Sequence, residues 1–248
     1  MAKTRIDQLL VERGLAASRD RARRLVMAGQ VLVDDRVVDK PGTRVLPEAA
    51  VRLRGQDHPY VGRGGLKLAG ALDDLGVDPT GLRCLDLGAS TGGFTDCLLQ
   101  KGATEVVAVD VGTNQLAWRL RQDPRVIVFE QTDARDLSPE QVGVVDLVVV
   151  DASFISLTRL LPPLPPLLPP GARLLALVKP QFEVGRERVS RGGVVRDDDL
   201  RQEAVDAVAA AAREHGFTID GQADSRVAGA KKGNREIFLL ATFAAISP

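Results

Sequence analysis

Apolar residues near the start of the chain fall at helical spacing, then in short strand-like runs, and from residue 66 onward the two patterns alternate. Ile6, Leu9 and Leu10 share one face of a helix that Gly14 can end. Ser18 is a good N-cap for a second helix carrying Ala22, Leu25 and Val26 and closed by Gly29. Val31-Leu32-Val33 and Val37-Val38 flank a turn at Asp34-Asp35, and strands near Val45 and Val51 follow a turn at Lys40-Pro41-Gly42. These elements predict a small α+β domain over residues 1–57. The glycines and the proline between Gly55 and Gly65 break both periods, so residues 58–65 read as a linker, with His58 as a solvated linker residue.

Beyond the linker the pattern predicts helix 66–75, strand 83–87, helix 94–101 and strand 105–110. A helix about 115–121 and strands 126–130, 146–151 and 174–178 come next. Asp197 can cap helix 200–215, and strands 218–222 and 236–243 complete the series. Alternation of this kind predicts a doubly wound α/β sheet over residues 66–248, with ligands at the carboxyl ends of its strands. One stretch departs from it. Residues 161–171 hold six prolines where a crossover helix belongs, which predicts a short helix at 156–161 and then an extended, polyproline-like segment.

Composition adds an asymmetry. The 248 residues carry no net charge, but residues 1–57 hold 12 Lys and Arg against 8 Asp and Glu, leaving 21 against 25 in the remainder. A basic front end on a neutral chain suggests a module for a polyanion. No apolar run is long enough for a membrane span, and the first residues lack the apolar core of a signal peptide, so a cytoplasmic location is expected. The two cysteines, Cys84 and Cys97, lie on apolar faces without metal-ligand company; they read as core residues, and no metal is expected.

Candidate chemistry centres on the glycine turn in Leu85-Asp86-Leu87-Gly88-Ala89-Ser90-Thr91-Gly92-Gly93-Phe94, between a strand and a helix. Glycines there let a ligand approach the backbone, and the helix start offers free N–H groups. The spacing is not that of a dinucleotide fingerprint, and an acid inside the strand, Asp86, suits a cation better than a pyrophosphate. S-adenosylmethionine, with its sulfonium and ammonium, is the natural candidate. Acids recur at the same sheet edge: Asp110, placed for ribose hydroxyls, Asp133, placed for an adenine amino group, and Asp151. Lys179 ends another apolar strand beside Asp151, where a lysine is costly unless paired or functional. The loop over residues 181–196, with Arg186, Arg188, Arg191 and Gly192-Gly193, reads either as a cover for the site or as a solvated loop.

Two resemblances sharpen this. Arg5-Ile6-Asp7-Gln8-Leu9-Leu10, Ser18-Arg19 and Ala28-Gly29-Gln30-Val31-Leu32-Val33 resemble the S4 RNA-binding domain. Gly64-Gly65-Leu66-Lys67-Leu68, the glycine turn, the stretch from Asp146 to Ser156 and Leu177-Val178-Lys179-Pro180-Gln181-Phe182-Glu183 resemble the FtsJ-type ribose methyltransferases, and more closely the TlyA-type rRNA methyltransferases, often labelled haemolysins. The resemblance implies a Rossmann-like S-adenosylmethionine-dependent methyltransferase domain behind a small S4 domain, acting on a cytidine ribose 2′-hydroxyl in ribosomal RNA. The family's K-D-K-E tetrad falls on Lys67, Asp151, Lys179 and Glu236. Expected cofactor contacts are Asp86, Gly88, Ser90, Gly92, Phe94, Asp110, Val111, Asp133, Ala134 and Asp151; expected RNA contacts are Arg5, Arg19, Arg23, Lys40, Arg63, Arg135 and Arg186. With one Trp, one Tyr and seven Phe, the protein is expected to read RNA mainly through backbone and shape. Lys179 has two open roles: neutral, it takes the hydroxyl proton; charged, it stabilises the developing anion. The alternative class is a catalytically silent protein that docks on ribosomal particles. Membrane lysis, the family's other label, finds no spanning or cationic amphipathic segment to support it.

Overall fold

The computed structural model describes residues 3–53, 58–190, 192–227 and 234–244. The chain divides into two compact units, Met1–Pro59 with Ala117–Arg119, and Tyr60–Leu116 with Leu120–Pro248.

In the first unit β1 (Thr4–Arg5) leads into α1 (Ile6–Glu12), and α2 (Arg19–Met27) follows. Ser18 Oγ accepts the Arg21 amide, as the cap reading requires. Ile6, Leu10, Ala22 and Val26 are fully buried, so the two helical stripes face one core. β2 (Val31–Val33) pairs antiparallel with both β3 (Arg36–Val38) and β5 (Val51–Leu53). Asp34 and Asp35 both take left-handed conformations, φ 48° and 62°, which suits the tight turn between β2 and β3. β4 (Arg44–Val45) pairs with β1, a strand absent from the sequence reading because two residues carry no alternation.

The second unit contains α3 (Gly64–Asp74), β6 (Arg83–Leu87), α4 (Gly93–Gln100), β7 (Glu105–Val109), β8 (Val126–Phe129) and α6 (Pro139–Val142); α5 (Trp118–Arg121), between β7 and β8 in the chain, is divided between the two units at Arg119. It continues through β9 (Leu147–Val150), β10 (Arg173–Val178), α7 (Pro180–Glu183), α8 (Asp198–Glu214), β11 (Phe217–Asp224) and β12 (Ile237–Phe243). These strands form one seven-stranded sheet in the order β11-β12-β10-β9-β6-β7-β8. β10, β9, β6, β7 and β8 run parallel, and β12 enters antiparallel between β10 and β11. Strand β9 is apolar at every position and wholly buried, as expected where both sheet faces are covered. Asp197 caps α8 by accepting the Asp199 and Leu200 amides.

Four expectations need correction. Gly64 and Gly65 are not linker but the first turn of α3, and Tyr60 packs so closely that a Cβ on Gly65 would stand 2.3 Å from its ring. His58 is half-buried rather than solvated; residues 54–57, the end of the expected N-terminal domain, lie outside the described residues. The helix expected at 115–121 begins only at Trp118, because Glu130 draws the amides of Asn114, Gln115 and Leu116 onto its carboxylate. The proline-rich crossover is not extended. It forms 3-10 turns at Leu157–Arg159 and Pro165–Leu167, and Leu164 and Leu167 are fully buried. Burying those leucines curls the segment onto the core, and proline's fixed φ suits the start of a turn.

Candidate active site

The carboxyl ends of β6, β9 and β10 open onto a cleft of about 470 Å³, lined among others by Lys67, Gly88, Ser90, Phe94, Asp151, Lys179 and Glu236. The four residues matched to the tetrad therefore share one cavity. They arrive from different elements: Lys67 from the first turn of α3, Asp151 just after β9, Lys179 just after β10 and Glu236 just before β12. They stand as two ion pairs. Lys67 Nζ donates to Glu236 Oε2 at 2.6 Å, with the two side chains 12% and 4% exposed. Lys179 Nζ lies 2.5 Å from Asp151 Oδ1, a contact off the hydrogen-bond direction, and donates instead to Ser153 Oγ at 2.9 Å. Buried lysines need such partners, and removing one carboxylate would leave a charge stranded.

The glycine turn is built for close approach. Gly88 has φ 84°, and a Cβ there would stand 2.8 Å from the carbonyl oxygen of Asp151, so no other residue fits without moving the loop after β9. Gly92 precedes α4 with φ 92°, and Ser90 takes φ 49°. Phe94 lines the cleft and stacks on Phe238, ring centroids 6.1 Å apart. Asp110 accepts the Ser90 amide at 2.8 Å and the Gly112 amide at 2.7 Å, tying the turn to the end of β7.

Asp86 departs from the expectation of a direct ligand contact. It is fully buried; Thr95 Oγ1 donates to its Oδ2 at 2.6 Å, and Oδ1 has no hydrogen-bond partner among the described residues. Burial pushes its carboxyl up to about 7, and the nearby Asp151 and Asp110 push the same way. A carboxylate so placed acts on a cation through its field. Asp110, Val111, Asp133 and Ala134 do not line the cleft but follow the neighbouring strands β7 and β8. Val111 is 71% exposed, whereas the Asp133 carboxylate is engaged by the Arg135 side chain at 2.5 and 2.9 Å, which holds it at about 2.

A family model described as FtsJ-like methyltransferase matches residues 60–243. The chain belongs to the FtsJ-like methyltransferase family. An S4 domain model matches residues 4–51. The chain is 49% identical over 96% of its length to the 16S/23S rRNA (cytidine-2′-O)-methyltransferase TlyA of Mycobacterium tuberculosis, covering 89% of that protein. It is 38% identical over 94% of its length to hemolysin A of Brachyspira hyodysenteriae, covering 97% of it. A solved structure from Streptococcus thermophilus that carries a hemolysin name aligns with a TM-score of 0.75 at 42% identity, covering 98% of this chain and 90% of that one.

In this FtsJ-like site several cleft residues escaped the sequence reading. Ser153 and Phe154 sit two and three places beyond Asp151; Phe154 is 91% exposed at φ 69°, its ring 5.3 Å from that of Phe182. Asn234 is buried, accepting the Val195 amide and donating to the Gly193 carbonyl, both at 2.9 Å. Glu183, which does not line the cleft, accepts from Ser156 Oγ at 2.6 Å and the Leu157 amide at 2.9 Å, and burial raises its carboxyl above the usual range. Ser153 and Phe154 lay inside the stretch from Asp146 to Ser156 that carried the resemblance, but neither was given a role at the site.

Of the residues expected to meet RNA, Arg5, Arg19 and Arg23 converge on one fully buried acid, Asp7. Arg5 Nε and Nη2 both bond it at 2.9 Å, while Arg19 and Arg23 stand at 3.7 Å. Lys40 is exposed beside the turn whose Pro41 carbonyl accepts the Asp7 amide. Arg63 is exposed at the start of α3, and Arg135 is exposed but paired with Asp133. The side chain of Arg186, and Arg191 altogether, lie outside the described residues. Among the described residues no group of three or more His, Cys, Asp or Glu could hold a metal ion, and no helix is long and apolar enough to cross a membrane.

Proposed function

We propose that this protein transfers a methyl group from S-adenosylmethionine to the ribose 2′-hydroxyl of a cytidine in ribosomal RNA. The observation that carries the reading is the meeting of Lys67, Asp151, Lys179 and Glu236, as two ion pairs, in the cleft beside the glycine turn. The FtsJ-like family and the name of the mycobacterial relative agree with it.

When bound, S-adenosylmethionine supplies a methyl group on a positive sulfur. The chain's residues suit it: buried Asp86 with one unpartnered oxygen favours a cation, Gly88 leaves the backbone bare, and exposed Val111 beside Asp110 offers a nucleoside both an apolar face and an acceptor. A ribose hydroxyl is a weak nucleophile. An ammonium at Lys179, with Asp151 against it, presents N–H to an oxygen on which negative charge grows, favouring the second of the two roles considered. Transfer of that methyl to the oxygen would leave the sulfur neutral and release the hydroxyl proton to water, with Lys179 facing the oxygen as its charge grows. Orientation of oxygen, methyl and sulfur supplies much of the acceleration. Phe154, bare at the rim, offers a face for the base. Residues 1–57 act as the RNA-binding domain through Arg5, Arg19, Arg23 and Lys40, and residues 66–248 as the catalytic domain.

The test is incubation with labelled S-adenosylmethionine and purified ribosomal subunits, Lys179→Ala alongside, followed by digestion to nucleosides. Label in 2′-O-methylcytidine, lost with the variant, is expected. Label in a base overturns the ribose mechanism, and cofactor binding without transfer to any RNA points to a docking protein.

A further inference from the structure

We infer that Ser153 is a positioning residue that aims the Lys179 ammonium, so that charge balance and direction at this lysine are supplied by two different side chains. The inference rests on the methyl-transfer reading and deepens it. Lys179 is 6% exposed, so its stem is fixed by packing and the rotation of its ammonium is what remains to be set. That group carries three N–H donors about one axis, so a single directed hydrogen bond fixes all three. Asp151 does not provide it: its Oδ1 lies close to Nζ but off the hydrogen-bond direction. Ser153 Oγ does, at 2.9 Å. With one N–H held there, the directions of the other two are set as well, and Asp151 balances the charge by proximity alone.

An exposed serine can orient a buried lysine only if its own backbone is held, and here it is held on both sides. Upstream, the Asp151 amide donates to the Leu87 carbonyl of β6. Downstream, Glu183 takes the Ser156 hydroxyl and the Leu157 amide. Between these points Phe154 adopts φ 69°, a conformation a side chain of its size rarely takes, which fits a loop whose path is dictated from both ends. Lys67 differs, since its hydrogen bond and its ion pair go to the same carboxylate, Glu236.

Steady-state transfer from labelled S-adenosylmethionine to ribosomal subunits separates the possibilities, using wild type, Ser153→Ala, Ser153→Thr and Lys179→Ala. Ser153→Ala is expected to lower kcat by about 10- to 100-fold, the range for one hydrogen bond to a charged group. The KM for RNA and the Kd for S-adenosylmethionine should stay within about two-fold, because neither ground-state contact is removed. Ser153→Thr, which keeps a hydroxyl, should recover most of kcat. An unchanged kcat in Ser153→Ala, or a raised RNA KM with kcat intact, overturns the inference; the second result would make Ser153 a substrate contact. So would a threonine variant no better than alanine. A wild-type protein that labels no RNA overturns the methyl-transfer reading instead, and so is told apart from failure of the inference alone.

Discussion

Asp86 offers a quantitative test, because its cost in the ligand-free protein and its use to a cationic ligand pull in opposite directions. An ordinary aspartate titrates near 3.8; here burial raises the group to about 7. The folded protein therefore binds this proton more tightly than the unfolded chain. Its contribution to stability is fullest below pH 3.8 and is lost as the pH rises toward 7. At 1.36 kcal/mol per decade the full loss is about 4 kcal/mol at pH 8. Asp86→Asn removes the charge, keeps the shape and still accepts from Thr95, but puts an amide nitrogen where Oδ1 has no partner, a cost of about 1–3 kcal/mol. The balance predicts a ligand-free variant about 1–3 kcal/mol more stable than wild type at pH 8, or roughly 5 °C in Tm for a domain of this size. The gain should shrink steadily as the pH is lowered to 5. S-adenosylmethionine affinity should fall in the same variant, since the anion is gone. Thermal unfolding across pH 5–8.5, with calorimetric titration of the cofactor, measures both. A variant less stable than wild type at pH 8, or a stability difference that does not change with pH, would falsify the account.

Three further outcomes rest on particular contacts. Arg19→Glu or Lys40→Glu should weaken RNA binding about ten-fold at moderate salt and flatten its salt dependence by about one unit of log–log slope, with S-adenosylmethionine affinity unchanged; filter binding at several salt concentrations reads this. Gly88→Ala places a methyl 2.8 Å from the Asp151 carbonyl oxygen at a φ of 84°, so it should cost about 2 kcal/mol or more in urea unfolding and abolish cofactor binding. Leu164→Ala, in the proline-rich crossover, should cost about 3 kcal/mol in the same assay because the side chain is fully buried; an extended exposed segment would lose almost nothing.

The parallel strands were the most legible part of the chain. Their centres are runs of apolar residues, unbroken in Leu147 to Val150, and Gly102 and Gly143 mark the turns that lead into β7 and β9. The Ser18 and Asp197 caps could be read because a helix start demands an acceptor. Elements set by contacts distant in sequence were not legible. The late start of α5 depends on Glu130, fourteen residues beyond Leu116, and the curled crossover on leucines that reach a core no local pattern reveals. At the site, motif matches singled out four residues that the fold brings into one cleft, but the division of labour around Lys179 lies in a loop geometry held by Glu183. Burial of Asp7 beneath three arginines was equally invisible, since its spacing from Arg5 is that of any strand-to-helix junction.

The entry of β12 between β10 and β11 has a bearing on biosynthesis. Every strand from β7 to β10 can pair as it leaves the ribosome, but β11 has no neighbour in the sheet until β12 emerges behind it. Glu236 stands one residue ahead of that strand, and its partner Lys67 is 169 positions earlier. Among the described residues, the hydrogen bond that spans the most sequence is thus also the one that pairs Lys67 with its counter-charge. A nascent chain that already presents its basic N-terminal unit still lacks a finished reaction centre, so the ability to hold RNA precedes the ability to modify it.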